Sequence, residues 1–230
     1  MPARRFGLVP IRELDVIGID SEEATNFVRH LGLADEAGEL PEDSASLRII
    51  HMGPPLERAI TRAPIRCVGT LPVSRVEILL IREFVARLED EIEAANLRRP
   101  VDQYCIVPHV ERDQIVGGRT VRFRRFNCGG FVLEAYRSAS IQLLDTDEEA
   151  LPQVSLALLK KQYPDLATAL DRPAIRKRMG LVGQGPWPVV LCGYVLNALD
   201  RTEAEIRARP YKAEEGDELF PPRRTPSTSY

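Results

Sequence analysis

In the stretch Phe126-Asn127-Cys128-Gly129-Gly130-Phe131-Val132, a thiol stands where one kind of periodicity gives way to another. On the N-terminal side, Gly117-Gly118 marks a turn into Thr120-Val121-Arg122-Phe123-Arg124-Arg125-Phe126. There Val121, Phe123 and, after one extra residue, Phe126 outline a strand with one polar face. On the C-terminal side, Phe131, Val132, Ala135 and Ala139 share a helical stripe, and stepping back three or four residues from Phe131 and Val132 lands on Cys128. The thiol is therefore expected to begin the buried edge of a helix. The first turn of a helix offers unpaired N–H groups and a partial positive charge, and both favour the thiolate, the nucleophilic form of cysteine. Gly129 and Gly130 would leave those N–H groups approachable enough to hold an oxyanion.

Working outward, Leu14 to Ile19 and Phe27 to Leu33 read as strands separated by Asp20-Ser21-Glu22-Glu23, although Glu22 to Leu31 can also be written as a helix. Asp35 to Ser44 is acidic and rich in turn formers, so an exposed hairpin loop is expected. Leu47 to Met52 is a strand ended by Gly53-Pro54-Pro55. Ser74-Arg75-Val76-Glu77 is a capping box that opens a helix through Ile81, Phe84, Val85, Leu88 and Ile92, which stops before Pro100.

Beyond Asp145, Leu151 to Tyr163 and Asp165 to Arg178 look helical, punctuated by Pro164 and Pro173. Gly180 to Pro188 is a loop holding the only tryptophan, Trp187, and Val189 to Leu199 is an apolar helix or strand-like run. From about Lys212 the chain is charged and then rich in Pro, Ser and Thr, the composition of a disordered tail. The expected organisation is a catalytic domain over 1–145, a helical extension packed on it over 146–211, and a disordered tail over 212–230.

The 230 residues suffice to bury a sizeable core, and 44% hydrophobic with 28% charged residues is the balance of a folded globular chain. A formal net charge of -3 gives no field that would gather nucleic acid, so no nucleic-acid partner is expected. The basic start, Met1 to Phe6, meets Pro10, Arg12, Glu13 and Asp15 rather than an apolar run, so no secretory signal is expected. No membrane span is expected either, because no apolar run of the required length is free of charge. A cytoplasmic location follows from these readings.

The cysteines at 67, 105, 128 and 192 form no C-x-x-C pair, and in a reducing compartment they should be free thiols. Cys67, Cys105 and Cys192 sit among apolar neighbours and read as ordinary packed cysteines. Three histidines at 30, 51 and 109 lack any metal-ligand spacing, so neither a metal nor a cofactor is expected. Gly117-Gly118-Arg119 and the 180–185 run lack the G-K-[ST] ending of a phosphate loop and read as turns. Arg122, Arg124 and Arg125 read as a solvated strand face or as a row that steers an anionic substrate towards Cys128.

A base for Cys128 has to come from those three histidines, since imidazole is the side chain that titrates near neutrality. Phe126 to Val132 resembles the nucleophile helix of the NlpC/P60 papain-like superfamily. His30-Leu31-Gly32-Leu33 is similar to that family's His-x-Gly-apolar strand, and Ile49-Ile50-His51-Met52-Gly53-Pro54-Pro55 to the next strand. The order, histidines before cysteine, is that of the circularly permuted members, which include the lecithin-retinol-acyltransferase-like proteins. The resemblance covers roughly residues 14–140.

It implies an α+β permuted papain-like fold, an antiparallel sheet packed on the nucleophile helix with a helical C-terminal extension. It also implies Cys128 as nucleophile, His30 as general base and His51 as the residue that orients it, with His109 as the alternative base. The implied activity is that of a thiol hydrolase, peptidase-like or amidase-like, or an acyltransferase, working through an acyl-enzyme on a small-molecule or peptide substrate with a carbonyl centre. The rival expectation is a non-catalytic binding or scaffold module of the same fold, with Cys128 merely packed.

Overall fold

The computed structural model describes residues 4–5, 10–22, 26–37, 47–53, 55–60, 65–97, 100–107 and 109–220. It is a mixed α+β structure built on a six-stranded antiparallel sheet. The strands are β1 (Arg4–Arg5), β2 (Val16–Glu22), β3 (Phe27–Ala34), β4 (Arg48–Met52), β5 (Leu56–Ile60) and β6 (Ile65–Gly69), in the order β1-β6-β2-β3-β4-β5. Strands β2 to β5 form a meander, and β6 returns to pair with β2 on its other side.

Both faces of the central strands are buried. Val16, Leu31, Leu33, Ile50 and Met52 join the main core, whereas Ile17, Ile19, Ile49 and Val68 form a smaller cluster with Ile11 and Leu47. This explains why Phe27 to Leu33 carries a weak alternation. A strand apolar on both faces does not alternate, and the partner strands, not the local pattern, select β over helix. The hairpin loop expected over 35–44 falls partly outside the described residues. Asp35 at its start is held by Arg58 of β5 and by Arg82.

The remaining elements are α1 (Arg75–Ala94), α2 (Pro100–Gln103), the hairpin β7 (His109–Val116) and β8 (Arg119–Phe126), α3 (Cys128–Ser138), β9 (Gln153–Val154), α4 (Leu156–Gln162), α5 (Pro173–Arg178), β10 (Trp187–Pro188), α6 (Cys192–Leu199) and α7 (Glu203–Ala208). The Ser74–Glu77 capping box is formed as its sequence predicts. Helices α1, α3 and α6 and the main face of the sheet contribute to one core that includes Phe84, Phe131, Tyr136, Tyr194 and Leu196. Each such apolar side chain contributes about 1.5–3 kcal/mol when fully buried. Tyr136 keeps its hydroxyl satisfied by donating to the Leu14 carbonyl at 2.9 Å.

Several expectations for the C-terminal half need correction. The run from Leu151 opens with strand β9, paired with β10, so Trp187 and Pro188 close the supposed loop as a strand. Between Asp165 and Arg178 there are two 3-10 turns and then α5, which has Pro173 in its first turn, where a missing N–H costs nothing. The first nine residues of the expected disordered tail, 212–220, are packed on the fold. Asn197 of α6 donates to the carbonyls of Asp217 (2.9 Å) and Leu219 (3.0 Å), and the Phe220 N–H reaches the Asn26 carbonyl at 2.7 Å, beside the start of β3. Composition favoured disorder, but the backbone of this segment finds partners in a buried asparagine, and Ala213 and Phe220 find the core. Residues 221–230 lie outside the described residues. No helix among the described residues is long and apolar enough to cross a membrane.

Candidate active site

Asn127 is the residue that fixes the β8–α3 junction. It is fully buried and caps α3, its Oδ1 accepting from the Gly130 N–H at 2.5 Å. Its Nδ2 donates to the carbonyls of Ile106 (2.6 Å) and Val190 (3.3 Å), so one side chain pins the helix start to two separate segments. Cys128 follows as the first residue of α3, only 2% exposed.

Three groups meet its sulfur. Cys192 Sγ, the first residue of α6, lies 3.6 Å away. His30 hydrogen-bonds the thiol and adds its positive charge, and the Leu31 backbone N–H donates to it. That N–H belongs to a stretch of β3 that has left its neighbour: pairing with β4 is confined to Leu33–Ile50 and Ala34–Ile49. The Cys128 thiol is held well below the usual cysteine range, first by the hydrogen bond from Cys192 and then, against the cost of burial, by His30 and Leu31. Cys192 moves the other way, raised by burial and by its role as donor to Cys128. Of the two, Cys192 holds its proton more firmly and Cys128 yields its own more readily.

His30 lies on β3 and His51 on β4, and their rings meet edge to face at 4.9 Å. His30 Nε2 and His51 Nδ1 are 2.8 Å apart. Burial, and then the charge of His30, push His51 from its usual 6.5 down to about 4. A neutral His51 accepts from His30 at Nδ1 and donates from Nε2 to Glu57 Oε1 at 3.3 Å, a contact supplied by the cross-strand pairing of His51 with Glu57. The two imidazoles fit because Gly53 has no side chain. A Cβ there would stand 2.8 Å from His51 Nδ1 and 3.3 Å from His30 Cε1.

The far side of the thiol pair is lined by Gln162, Tyr104 and Tyr163. Gln162 Nε2 donates to the Arg29 carbonyl at 2.6 Å and touches Cys192 Sγ at 3.6 Å, while its buried Oε1 has no hydrogen-bond partner among the described residues. The rings of Tyr104 and Tyr163 meet at 6.1 Å, and burial raises both phenols well above their usual range.

The structure thus brings Cys128, His30 and His51 into one chain of contacts. His109 opens β7 opposite Phe126, and its side chain lies outside those described. The arginine row does not act as one surface. Arg122 pairs with Asp113 in solvent, Arg124 pairs with Glu91 at 2.7 Å and lies over Phe84, and Arg125 is buried against the Arg178 and Tyr104 carbonyls. Only Arg122 keeps the solvated position expected of all three, because β8 packs on α1 and α2. Cys105 is a packed thiol, as its surroundings predict, donating to the Val107 and Arg125 carbonyls. Among the described residues no three His, Cys, Asp or Glu gather as metal ligands.

Sequence reasoning missed Cys192, Gln162 and the two tyrosines. One signal was available for Cys192: Val189 to Leu191 followed by Cys192-Gly193 repeats, in outline, the strand, Cys-Gly and helix order seen at Cys128. No family model, no curated protein and no solved structure matches this chain.

Proposed function

We propose that the chain is a thiol hydrolase or acyltransferase acting on an amide, ester or thioester, with a permuted papain-like fold related to the NlpC/P60 superfamily. The observation that carries this reading is the run of contacts Cys128–His30–His51, in which the middle imidazole meets both the thiol and a neutral histidine. His30 takes the thiol proton. The resulting imidazolium is stabilised by the Nδ1 lone pair of His51, and Glu57 holds the other end of that ring. The thiolate attacks the carbonyl, and the N–H groups of Cys128 and Gly129 at the start of α3 receive the oxyanion. His30 then protonates the leaving group, and water or a second nucleophile resolves the acyl-enzyme.

The rival, a binding or scaffold module with a packed Cys128, draws on the near-complete burial of the sulfur. A small activated ester separates the two. With p-nitrophenyl acetate, an enzyme releases one equivalent of nitrophenolate in a burst and carries one acetyl group on Cys128 by peptide mass mapping. A chain that shows no burst and no acetyl on Cys128 is not a thiol acyl-transfer enzyme.

A further inference from the structure

We propose that Cys128 and Cys192 form a reversible intramolecular disulfide when the chain meets a hydroperoxide, so that the nucleophile is also a peroxide-responsive switch. The geometry for it is in place. The two sulfurs are 3.6 Å apart, each on the first residue of a helix, 64 residues apart in sequence. A disulfide needs about 2.05 Å between sulfurs, a closure of roughly 1.5 Å at helix starts where side-chain rotation does not break a helical hydrogen bond. His30 beside Cys128 supplies a proton to a leaving group, and Gln162 borders Cys192. Cys105 is engaged by the carbonyls of Val107 and Arg125.

The chemistry runs in two steps. The Cys128 thiolate attacks the terminal oxygen of the hydroperoxide. An S–O bond forms, the O–O bond breaks, the sulfur is oxidised by two electrons, and the departing alkoxide takes a proton from the His30 imidazolium and leaves as an alcohol. The Cys192 sulfur then attacks the sulfenic sulfur. The S–S bond forms, the S–O bond breaks, and the hydroxide leaves as water with the Cys192 proton. A small dithiol reverses the result by thiol–disulfide exchange. While the disulfide stands, no thiolate is available for acyl transfer. This inference rests on the same Cys128 thiolate as the acyl-transfer reading, but not on any acyl chemistry.

The test uses the full chain, reduced, desalted and treated with hydrogen peroxide or tert-butyl hydroperoxide, then quenched in acid and digested without reductant. The expected result is the loss of two of the four free thiols, a peptide pair linked through Cys128 and Cys192, and full recovery with dithiothreitol. In Cys192→Ala, dimedone should instead trap a sulfenic acid on Cys128. Four surviving thiols overturn the proposal, as does a sulfinic Cys128 in the wild type or a link to any other cysteine. The p-nitrophenyl acetate burst, run on the same reduced sample, tells the two readings apart. A linked pair without a burst removes the acyl chemistry and keeps the switch, and a burst without a linked pair does the reverse.

Discussion

The starts of α3 and α6 are near copies in sequence and opposites in chemistry. Each places a cysteine followed by glycine on the first residue of a helix, each thiol is 2% exposed, and they touch one another. Yet Cys128 is drawn down and Cys192 pushed up. The helix dipole cannot be the cause, since both thiols have one, and at about 0.3–1 kcal/mol it amounts to less than one unit of pKa. Between two thiols that share a hydrogen bond, the donor is raised and the acceptor lowered. The neighbouring imidazole and the Leu31 N–H decide that Cys128 is the acceptor. A helix start thus offers a thiolate a place, but a charged partner has to fill it.

The comparison can be broken by substitution. Cys128→Ala should abolish the p-nitrophenyl acetate burst, whereas Cys192→Ala should retain a slower one. If the reverse is found, the roles of the two helices are exchanged. His30→Ala should return the apparent pKa of Cys128, read from the pH dependence of iodoacetamide labelling, towards the ordinary cysteine range. The same change should slow acylation by about 10²–10⁴-fold, the usual worth of a general base. His109→Ala, measured alongside, should leave that pKa in place, because His30 already occupies the thiol.

Asn127→Ala removes the cap that α3 has and α6, with Leu191 at the same position, does without. It also leaves the Ile106 and Val190 carbonyls short of a donor, so a loss of about 2–3 kcal/mol is expected in urea unfolding. Gly53→Ala presses on both imidazoles without touching either helix. An approximately 10-fold fall in acylation rate, with the unfolding midpoint little changed, would show that the imidazole pair needs its spacing.

The shallowest effect, spread over more than two pH units, concerns His51. His51 titrates near 4 in the folded chain against 6.5 when free. Between those values the unfolded chain therefore binds more protons, and stability falls as the pH falls. The contribution is complete above about 6.5 and is lost on the way down to about 4, at no more than roughly 1.4 kcal/mol per pH unit. In His51→Gln that slope should flatten in a series of urea titrations from pH 7 to pH 4.

What the sequence made legible follows the range of the interactions involved. The capping box at Ser74 and the strand–helix junction at Cys128 are decided by neighbours within four residues, and both form where local spacing places them. The Phe27–Ala34 strand is decided by its partners, so Glu22 to Leu31 could be written two ways from local spacing alone. The contact between His30 and His51 spans 21 residues and depends on the hairpin that joins their strands, yet the histidines themselves were visible as candidates. The Cys-Gly start of α6 marks Cys192 locally, but its meeting with a thiol 64 residues away is set by the packing of two helices and not by either neighbourhood. Arg124 and Arg125 look like surface in a strand pattern, and only the packing of α1 and α2 over β8 removes them from it.

The stitch between Phe220 and Asn26 has a bearing on how the protein is made. Asn26 immediately precedes the strand that carries His30, and α6, which carries Cys192, is tied to the same closing segment through Asn197. On a ribosome that delivers the N-terminal strands first, the sheet is synthesised long before α6 and the segment that bonds to Asn26. The thiol pair can therefore form only after Cys192 has emerged, and a nascent chain stalled earlier would hold its histidines without it.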